Sequence, residues 1–173
     1  CVQFNPKFDP TKPASTQSQV EWMGNEDCLY ANVYSPYLNF TYEDYNCTFG
    51  SCKPHDHAVN PKPLLPVMVF LHGGNFANGS AYDLDAVSLV KASMAASAPI
   101  VVVTFNYRLG VFGFMAHSAL SSERSPYQTS GLYGFEDQRF AMKYINATIL
   151  RFGGDPFNIT LVGEGSGAQM ACM

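Results

Sequence analysis

The sequence predicts an α/β fold built on a mostly parallel sheet, and three observations carry that expectation. Two apolar, β-branched runs, Leu65–Leu71 and Ile100–Asn106, read as buried strands. Segments with helical spacing, Leu84–Ala96 and Glu136–Phe152, alternate with them, as expected where helices cover a sheet. The third observation is Ile159–Ala168, Ile-Thr-Leu-Val-Gly-Glu-Gly-Ser-Gly-Ala, where a short apolar strand runs through small residues into a helix.

The chain has 173 residues, 47% hydrophobic and 14% charged, enough apolar material for one core of ordinary size. Its net charge is −4 and its ten Lys and Arg are scattered, which argues against a nucleic-acid or anionic-membrane surface. The longest apolar runs, Leu64–Leu71 and Ala98–Phe105, are too short to span a bilayer. No signal peptide is visible at Cys1. Five cysteines and five N-x-S/T sequons, at Asn39, Asn46, Asn78, Asn146 and Asn158, point to a secreted or cell-surface glycoprotein. Asn39, Asn46 and Asn78 read as loop positions, whereas Asn146 falls in a predicted helix and Asn158 abuts a strand entry.

Taken in order, residues 1–27 are polar, rich in Pro, Ser, Thr and Gln, and read as an irregular loop. Ser35–Pro66 is rich in Tyr, Asn and Pro and holds Cys47-x4-Cys52, whose use as a local disulfide closes a small loop. The same segment contains His55-Asp56-His57; with no further ligands converging in sequence it reads as solvated loop, and no metal or cofactor is expected. Leu65–Leu71 is a strand, and His72-Gly73-Gly74-Asn75-Phe76 follows it as a tight turn. Leu84–Ala96 is a helix and Ile100–Asn106 a central parallel strand. Glu136–Phe152 is a long amphipathic helix, with Phe140, Met142, Tyr144, Ile145, Ile149 and Phe152 expected on the packed side. It stops at Gly153-Gly154, with Pro156 just beyond. Cys172, on the helix opened by Ser166, has no obvious mate.

Ile159–Ala168 has the layout of a nucleophile elbow, in which Gly-x-Ser-x-Gly turns a strand sharply into a helix with the middle side chain exposed at the apex. Gly163 and Gly167 occupy the outer positions, but the middle one is Gly165. Ser166 is one place late, and centring the motif on it puts Glu164 and Ala168 where glycines are required. Glycine best tolerates a strained apex, at which another residue costs about 1–3 kcal/mol.

The elbow and the preceding Phe152-Gly153-Gly154-Asp155-Pro156 resemble the type-B carboxylesterase and cholinesterase family. That family reads F-G-G-D-P-x-x-V-T-x-x-G-E-S-A-G-A, its serine ten residues after the aspartate, and ten after Asp155 is Gly165. The resemblance continues in Glu26-Asp27-Cys28-Leu29-Tyr30-Ala31-Asn32-Val33 (E-D-C-L-Y-L-N-V), in His72–Phe76 (H-G-G-x-F), and in Asn106-Tyr107-Arg108-Leu109-Gly110-x-x-Gly113-Phe114 (N-Y-R-x-G-x-x-G-F). It runs nearly end to end but matches an early portion of the family domain. It therefore implies part of an α/β-hydrolase fold, residues 1–173, interrupted by an insertion at 35–66. The first strands, the remaining strands, the acid and the base histidine are expected outside this chain.

The resemblance implies several roles. A family cysteine followed by x-Q closes a long loop with the strand cysteine, which pairs Cys1 with Cys28. The H-G-G loop supplies oxyanion-hole donors, here the N–H groups of Gly74 and Asn75 with that of Ser166. Arg108 pairs with Asp137 as a structural, buried ion pair, and His117 is surface. Cholinesterases carry a choline-stacking tryptophan ten residues before the strand cysteine; that position is Ser18, and the only tryptophan, Trp22, lies four residues later, so a choline site is not expected. With Gly165 lacking a nucleophile, the expectation is a catalytically inactive extracellular module for adhesion, assembly or binding, like the non-catalytic cholinesterase-like adhesion proteins. Its partners would be proteins, met through the 35–66 insertion, together with the remainder of the hydrolase domain. The alternative is an active serine carboxylesterase that forms an acyl-enzyme on Ser166 in a re-registered elbow.

Overall fold

The computed structural model describes residues 1–4, 22–37, 40–48, 50–56, 62–123 and 129–173. The loop before the sheet is not wholly irregular: β1 (Gln3–Phe4) pairs antiparallel with β2 (Trp22–Met23). A disulfide joins Cys1 to Cys28, bringing this pair to the start of β3 (Ala31–Tyr34).

The insertion that follows has its own structure. β4 (Tyr45–Thr48) and β5 (Ser51–Pro54) form a hairpin bridged by a Cys47–Cys52 disulfide. At its base the rings of Tyr37, Phe40 and Tyr45 stack in series, each pair 5.6 Å apart. The Tyr45 hydroxyl donates to the Lys62 carbonyl, and the Lys62 ammonium lies 5.1 Å from the Tyr37 ring. The stack closes over Gly153, where a side chain would run into the Tyr37 and Phe40 rings.

β6 (Leu65–Leu71), α1 (Ala86–Ala95) and β7 (Val101–Phe105) occupy the segments expected of them. Asp85 caps α1 by accepting the Ser88 N–H at 3.0 Å. β7 runs parallel to β6 and antiparallel to β3, so Val103 sits between Val33 and Val69. Alternation along β7 divides the core: Val101, Val103 and Phe105 face one layer with Val67, Val69, Ile145 and Ile149, while Val102 faces Ala86 and Val90 of α1. Covered on both sides, every residue of β7 is buried, which is why its sequence is apolar but for Thr104, whose Oγ1 accepts from the Asn32 amide at 3.3 Å.

Two short helices, α2 (Gly110–Phe114) and α3 (Ser118–Glu123), lead to α4 (Tyr133–Thr148). α4 begins earlier than expected and tightens into a 3-10 turn, Ile149–Phe152, stopped by Gly153 at φ 81°. Its packed side also differs. Ile145 and Ile149 are buried, but Phe140 is 71% and Tyr144 59% exposed, and Phe152 is exposed as well. The buried stripe instead carries Asp137 and Gln138, each with a partner: Asp137 takes Arg108, and the Gln138 amide donates to the Met170 sulfur at 2.9 Å. Phe140 and Tyr144 turn toward Leu29 and Tyr30 and line a groove of about 340 Å³ with them.

β8 (Gly154–Gly163) starts well before Ile159 and lies parallel to β6, giving the order β3-β7-β6-β8. Leu65 pairs with Gly154 but Val67 pairs with Ile159, so the extra residues around Pro156 bulge out of the ladder, where a missing N–H does no harm. α5 (Ser166–Ala171) then packs back on β6 and β8. No helix among the described residues is long and apolar enough to cross a membrane.

Candidate functional site

β8, α5 and the loop after β6 meet at the carboxyl ends of β6 and β8, two of the three parallel strands. Gly165 is the apex, at φ 53° and ψ −119°, outside the regions that residues with a Cβ ordinarily adopt. The flanking glycines are there for space. A side chain at Gly163 would strike the backbone of Gly167 and Ala168, and one at Gly167 would strike the Leu71 and His72 carbonyls. The turn is held by Glu164 N–H to the Leu71 carbonyl (3.3 Å), Gly167 N–H to that of Glu164 (2.8 Å) and Gln169 N–H to that of Gly165 (3.2 Å). At Gly165 itself a Cβ would meet nothing within 4 Å. The apex points into open space, so its glycine answers to the backbone angle and not to crowding.

The loop Gly73–Asn78 wraps beside the apex, with Gly73 against Glu164 and Gly165. Three consecutive residues, Gly74, Asn75 and Phe76, have positive φ values of 100°, 54° and 61°. Asparagine visits this region readily; for phenylalanine it costs about 1–2 kcal/mol, which the surrounding contacts must hold in place. Those contacts are visible. Ala77 and Asn78 both donate to the Gly74 carbonyl (3.0 and 3.1 Å), the Phe76 carbonyl accepts from Gly110 at 2.7 Å, and the Phe76 ring meets Phe114 edge-on at 5.2 Å. A clamp from the start of the chain finishes the turn. The Gln3 side chain accepts the Gly79 N–H at 2.8 Å and donates to the Gly79 carbonyl at 3.4 Å.

Among the described residues, the N–H groups of Gly74, Asn75 and Ser166 donate to no protein acceptor, so this loop and the first residue of α5 leave three donors open beside the apex. Ser166 is 6% exposed, and its Oγ accepts the Phe76 N–H at 3.3 Å. Beside it the Tyr107 hydroxyl donates to the His72 carbonyl at 2.8 Å. Burial pushes the Tyr107 phenol up to about 12, partly offset by the Ser166 contact, so it stays protonated as a donor.

His72 is 1% exposed and stacks on Tyr107, centroids 4.4 Å apart. Its Nδ1 lies 2.9 Å from the Gly73 carbonyl, which assigns the proton to Nδ1 and leaves the buried Nε2 as an acceptor without a partner among the described residues. Burial lowers its pKa, so it is neutral at pH 7. Chemically, the arrangement offers electrostatic stabilisation of a negative oxygen but no nucleophile at the apex to create one.

The other sequence-derived positions separate. Arg108 and Asp137 form a bidentate pair, both contacts 2.7 Å, and the Arg108 N–H adds a third at 3.1 Å. Asp137 is buried, but the Arg108 side chain is 36% exposed beside Tyr133, so the pair is half-buried, not sealed in the core. His117 is exposed, as is Cys172, a free thiol. Asn46, Asn78, Asn146 and Asn158 are all exposed. Asn39, Ser18 and His57 lie outside the described residues, and among those described no three His, Cys, Asp or Glu gather as metal ligands. Three contributors were not foreseen: Gln3, Tyr107 and the Oγ of Ser166. Gln3 and Tyr107 stand inside quoted motifs, but their partners lie far away in sequence.

A family model described as the carboxylesterase family matches residues 1–173. Over 147 residues the chain is 41% identical to the neuroligin-like protein glit-1 of Caenorhabditis elegans, covering 85% of this chain and 16% of that protein. It is also 41% identical to the fumonisin B1 esterase of Sphingopyxis macrogoltabida, covering 84% of this chain and 22% of the esterase. The solved structure of Aspergillus niger EstA superposes with a TM-score of 0.60 at 31% identity, covering 84% of this chain and 23% of EstA. A PNB esterase gives 0.55 at 35%, covering 84% and 25%. The chain thus spans 16% to 22% of the length of these two relatives, and its mostly parallel sheet is that of the α/β-hydrolase fold.

Proposed function

This chain belongs to the carboxylesterase family, and on that premise we propose that it acts as a catalytically inactive extracellular module for adhesion, assembly or binding. The observation that carries the reading is Gly165. An apex with the backbone angles of an elbow and no side chain has nothing to attack a carbonyl carbon. Loss of the serine from a comparable triad costs roughly 10⁶-fold in turnover. Relatives bearing neuroligin names and relatives bearing esterase names are both near this chain, so similarity alone does not choose between them. The two disulfides support a secreted or surface location. Given the share of each relative that it covers, residues 1–173 are read as part of a larger hydrolase domain.

The hairpin Tyr45–Pro54 is our choice for the partner surface, because it projects from an anchored aromatic base and is braced by its own disulfide. Deleting it from the full-length protein without loss of partner binding would remove that assignment.

The second reading, an esterase acting through Ser166, draws on the three open N–H donors. Against it, the Ser166 Oγ is buried and already accepts the Phe76 N–H. A fluorophosphonate probe on the full-length protein separates the two. The inactive module leaves the wild type unlabelled, and label mapped to Ser166, or turnover of a simple aryl ester, overturns it.

A further inference from the structure

Five sequons are offered by the sequence, and the structure treats them very differently. The amide of Asn146 sits on α4 and its Nδ2 donates to the Pro156 carbonyl at 2.7 Å, so that nitrogen is in use. Asn158 lies within β8. Asn46 lies within β4, and its sequon runs through Cys47 of the hairpin disulfide. Asn39 is outside the described residues. Asn78 alone of the described four lies in a turn; it is exposed, and its Nδ2 donates to no acceptor among the described residues.

Its position matters more than its availability. Asn78 closes the loop by donating its backbone N–H to the Gly74 carbonyl, and its Oδ1 lies against Gly74, within 2.5 Å of where a Cβ would stand there. Gly74 carries one of the three open N–H donors, and a Cβ on its neighbour Gly73 would stand 3.9 Å from the Gly165 Cα. Following these contacts, and taking about 3.8 Å for each step between successive Cα atoms, Asn78 Oδ1 lies no more than about 13 Å from the Gly165 Cα. An N-linked core oligosaccharide is longer than that gap and bulky.

We propose that Asn78 carries an N-linked glycan standing over Gly165 and the open N–H donors, shielding this exposed apex from ester-sized molecules. The inference rests on the extracellular reading above, since transfer requires the secretory route. In the transfer step the Asn78 Nδ2 attacks the anomeric carbon of a lipid-pyrophosphate-linked oligosaccharide. A C–N bond forms, the C–O bond to pyrophosphate breaks, the amide gives up one proton, and the lipid pyrophosphate leaves. The apex is then shut from outside as well as stripped of its nucleophile.

The test uses the full-length protein secreted from eukaryotic cells. Enzymatic removal of N-glycans in heavy-oxygen water, followed by peptide mapping, should place the heavy aspartate at residue 78; an unmodified Asn78 overturns the proposal. Closure is read separately in a Gly165→Cys, Cys172→Ser variant. A polyethylene-glycol maleimide should fail to label Cys at the apex while the glycan is present and should label it once Asn78→Gln is added. Equal labelling in the two overturns the closure. If the cysteine variant does not fold, occupancy is still read on the wild-type protein and closure is read with the same maleimide on an Asn75→Cys, Cys172→Ser variant, with and without Asn78→Gln, equal labelling again overturning it. An empty Asn78 leaves the argument from Gly165 standing, whereas fluorophosphonate label at Ser166 sinks that argument whatever the state of Asn78.

Discussion

The three elbow glycines should respond differently to the same added methyl group. At Gly165 the cost is backbone strain alone, about 1–3 kcal/mol, because a Cβ there meets nothing within 4 Å. Restricting the unfolded chain returns about 0.4–1 kcal/mol, so Gly165→Ala should lose a net 1–2 kcal/mol, roughly. Gly167 is helical, where alanine is intrinsically better by about 1 kcal/mol. Its Cβ, however, would fall onto the Leu71 and His72 carbonyl oxygens, at the end of the strand that α5 packs against and the residue just after it. Rigid backbone cannot step aside as a side chain can, so Gly167→Ala should cost more than about 3 kcal/mol, above the usual range for overpacking. Gly163→Ala, with its Cβ 2.5 Å from the Ala168 nitrogen, should behave like Gly167→Ala. Guanidinium unfolding midpoints at constant slope measure all three in the full-length protein. If Gly167→Ala proves as mild as Gly165→Ala, the space-versus-angle division of the elbow is wrong. Gly165→Ser should cost no more than Gly165→Ala, and where the acid and histidine are present it should gain fluorophosphonate label.

Three further outcomes are expected. His72 has a folded pKa below its unfolded value of about 6.5, so the unfolded state binds the proton first. Its contribution is full above pH 6.5 or so and is lost as pH falls through the folded pKa; His72→Phe should flatten that slope in pH-dependent unfolding, and an unchanged slope would discount the buried neutral imidazole. Asp137→Ala strands Arg108, but that side chain is a third exposed and can turn to water, so a loss of about 1–3 kcal/mol is expected in denaturant melts, short of the 3–5 kcal/mol typical of a sealed pair. Loop closure predicts that Cys28→Ser, opening the longer Cys1–Cys28 loop, costs about 3–4 kcal/mol against about 2 kcal/mol for Cys52→Ser; reversal of that order in unfolding midpoints would count against the chain-entropy account.

Much of the scaffold was legible because its signals are local. β6 is an uninterrupted apolar run, β7 is β-branched or aromatic throughout, and α1 carries its own cap in Asp85. The elbow declares itself because crowding at Gly163 and Gly167 excludes every other residue. What the chain concealed depends on distant partners. Nothing near Phe140 or Tyr144 says that they face Leu29 and Tyr30 while Asp137 and Gln138 take the buried stripe; that choice is made by Arg108 and Met170. β8 extends back to Gly154 only because Leu65 is there to pair with it. The role of the Ser166 hydroxyl is set by Phe76, 90 positions away.

The contact between Gln3 and Gly79 ties the turn that follows the donor loop to a strand two residues from a half-cystine. Reducing the Cys1–Cys28 bridge would therefore do more than loosen the amino-terminal segment. It would free the latch on one end of a turn in which Asn75 and Phe76 are held in conformations they would otherwise leave. The shape of the donor loop is in this sense conditional on an oxidising surrounding, and a reduced chain would keep its sheet while losing the cradle.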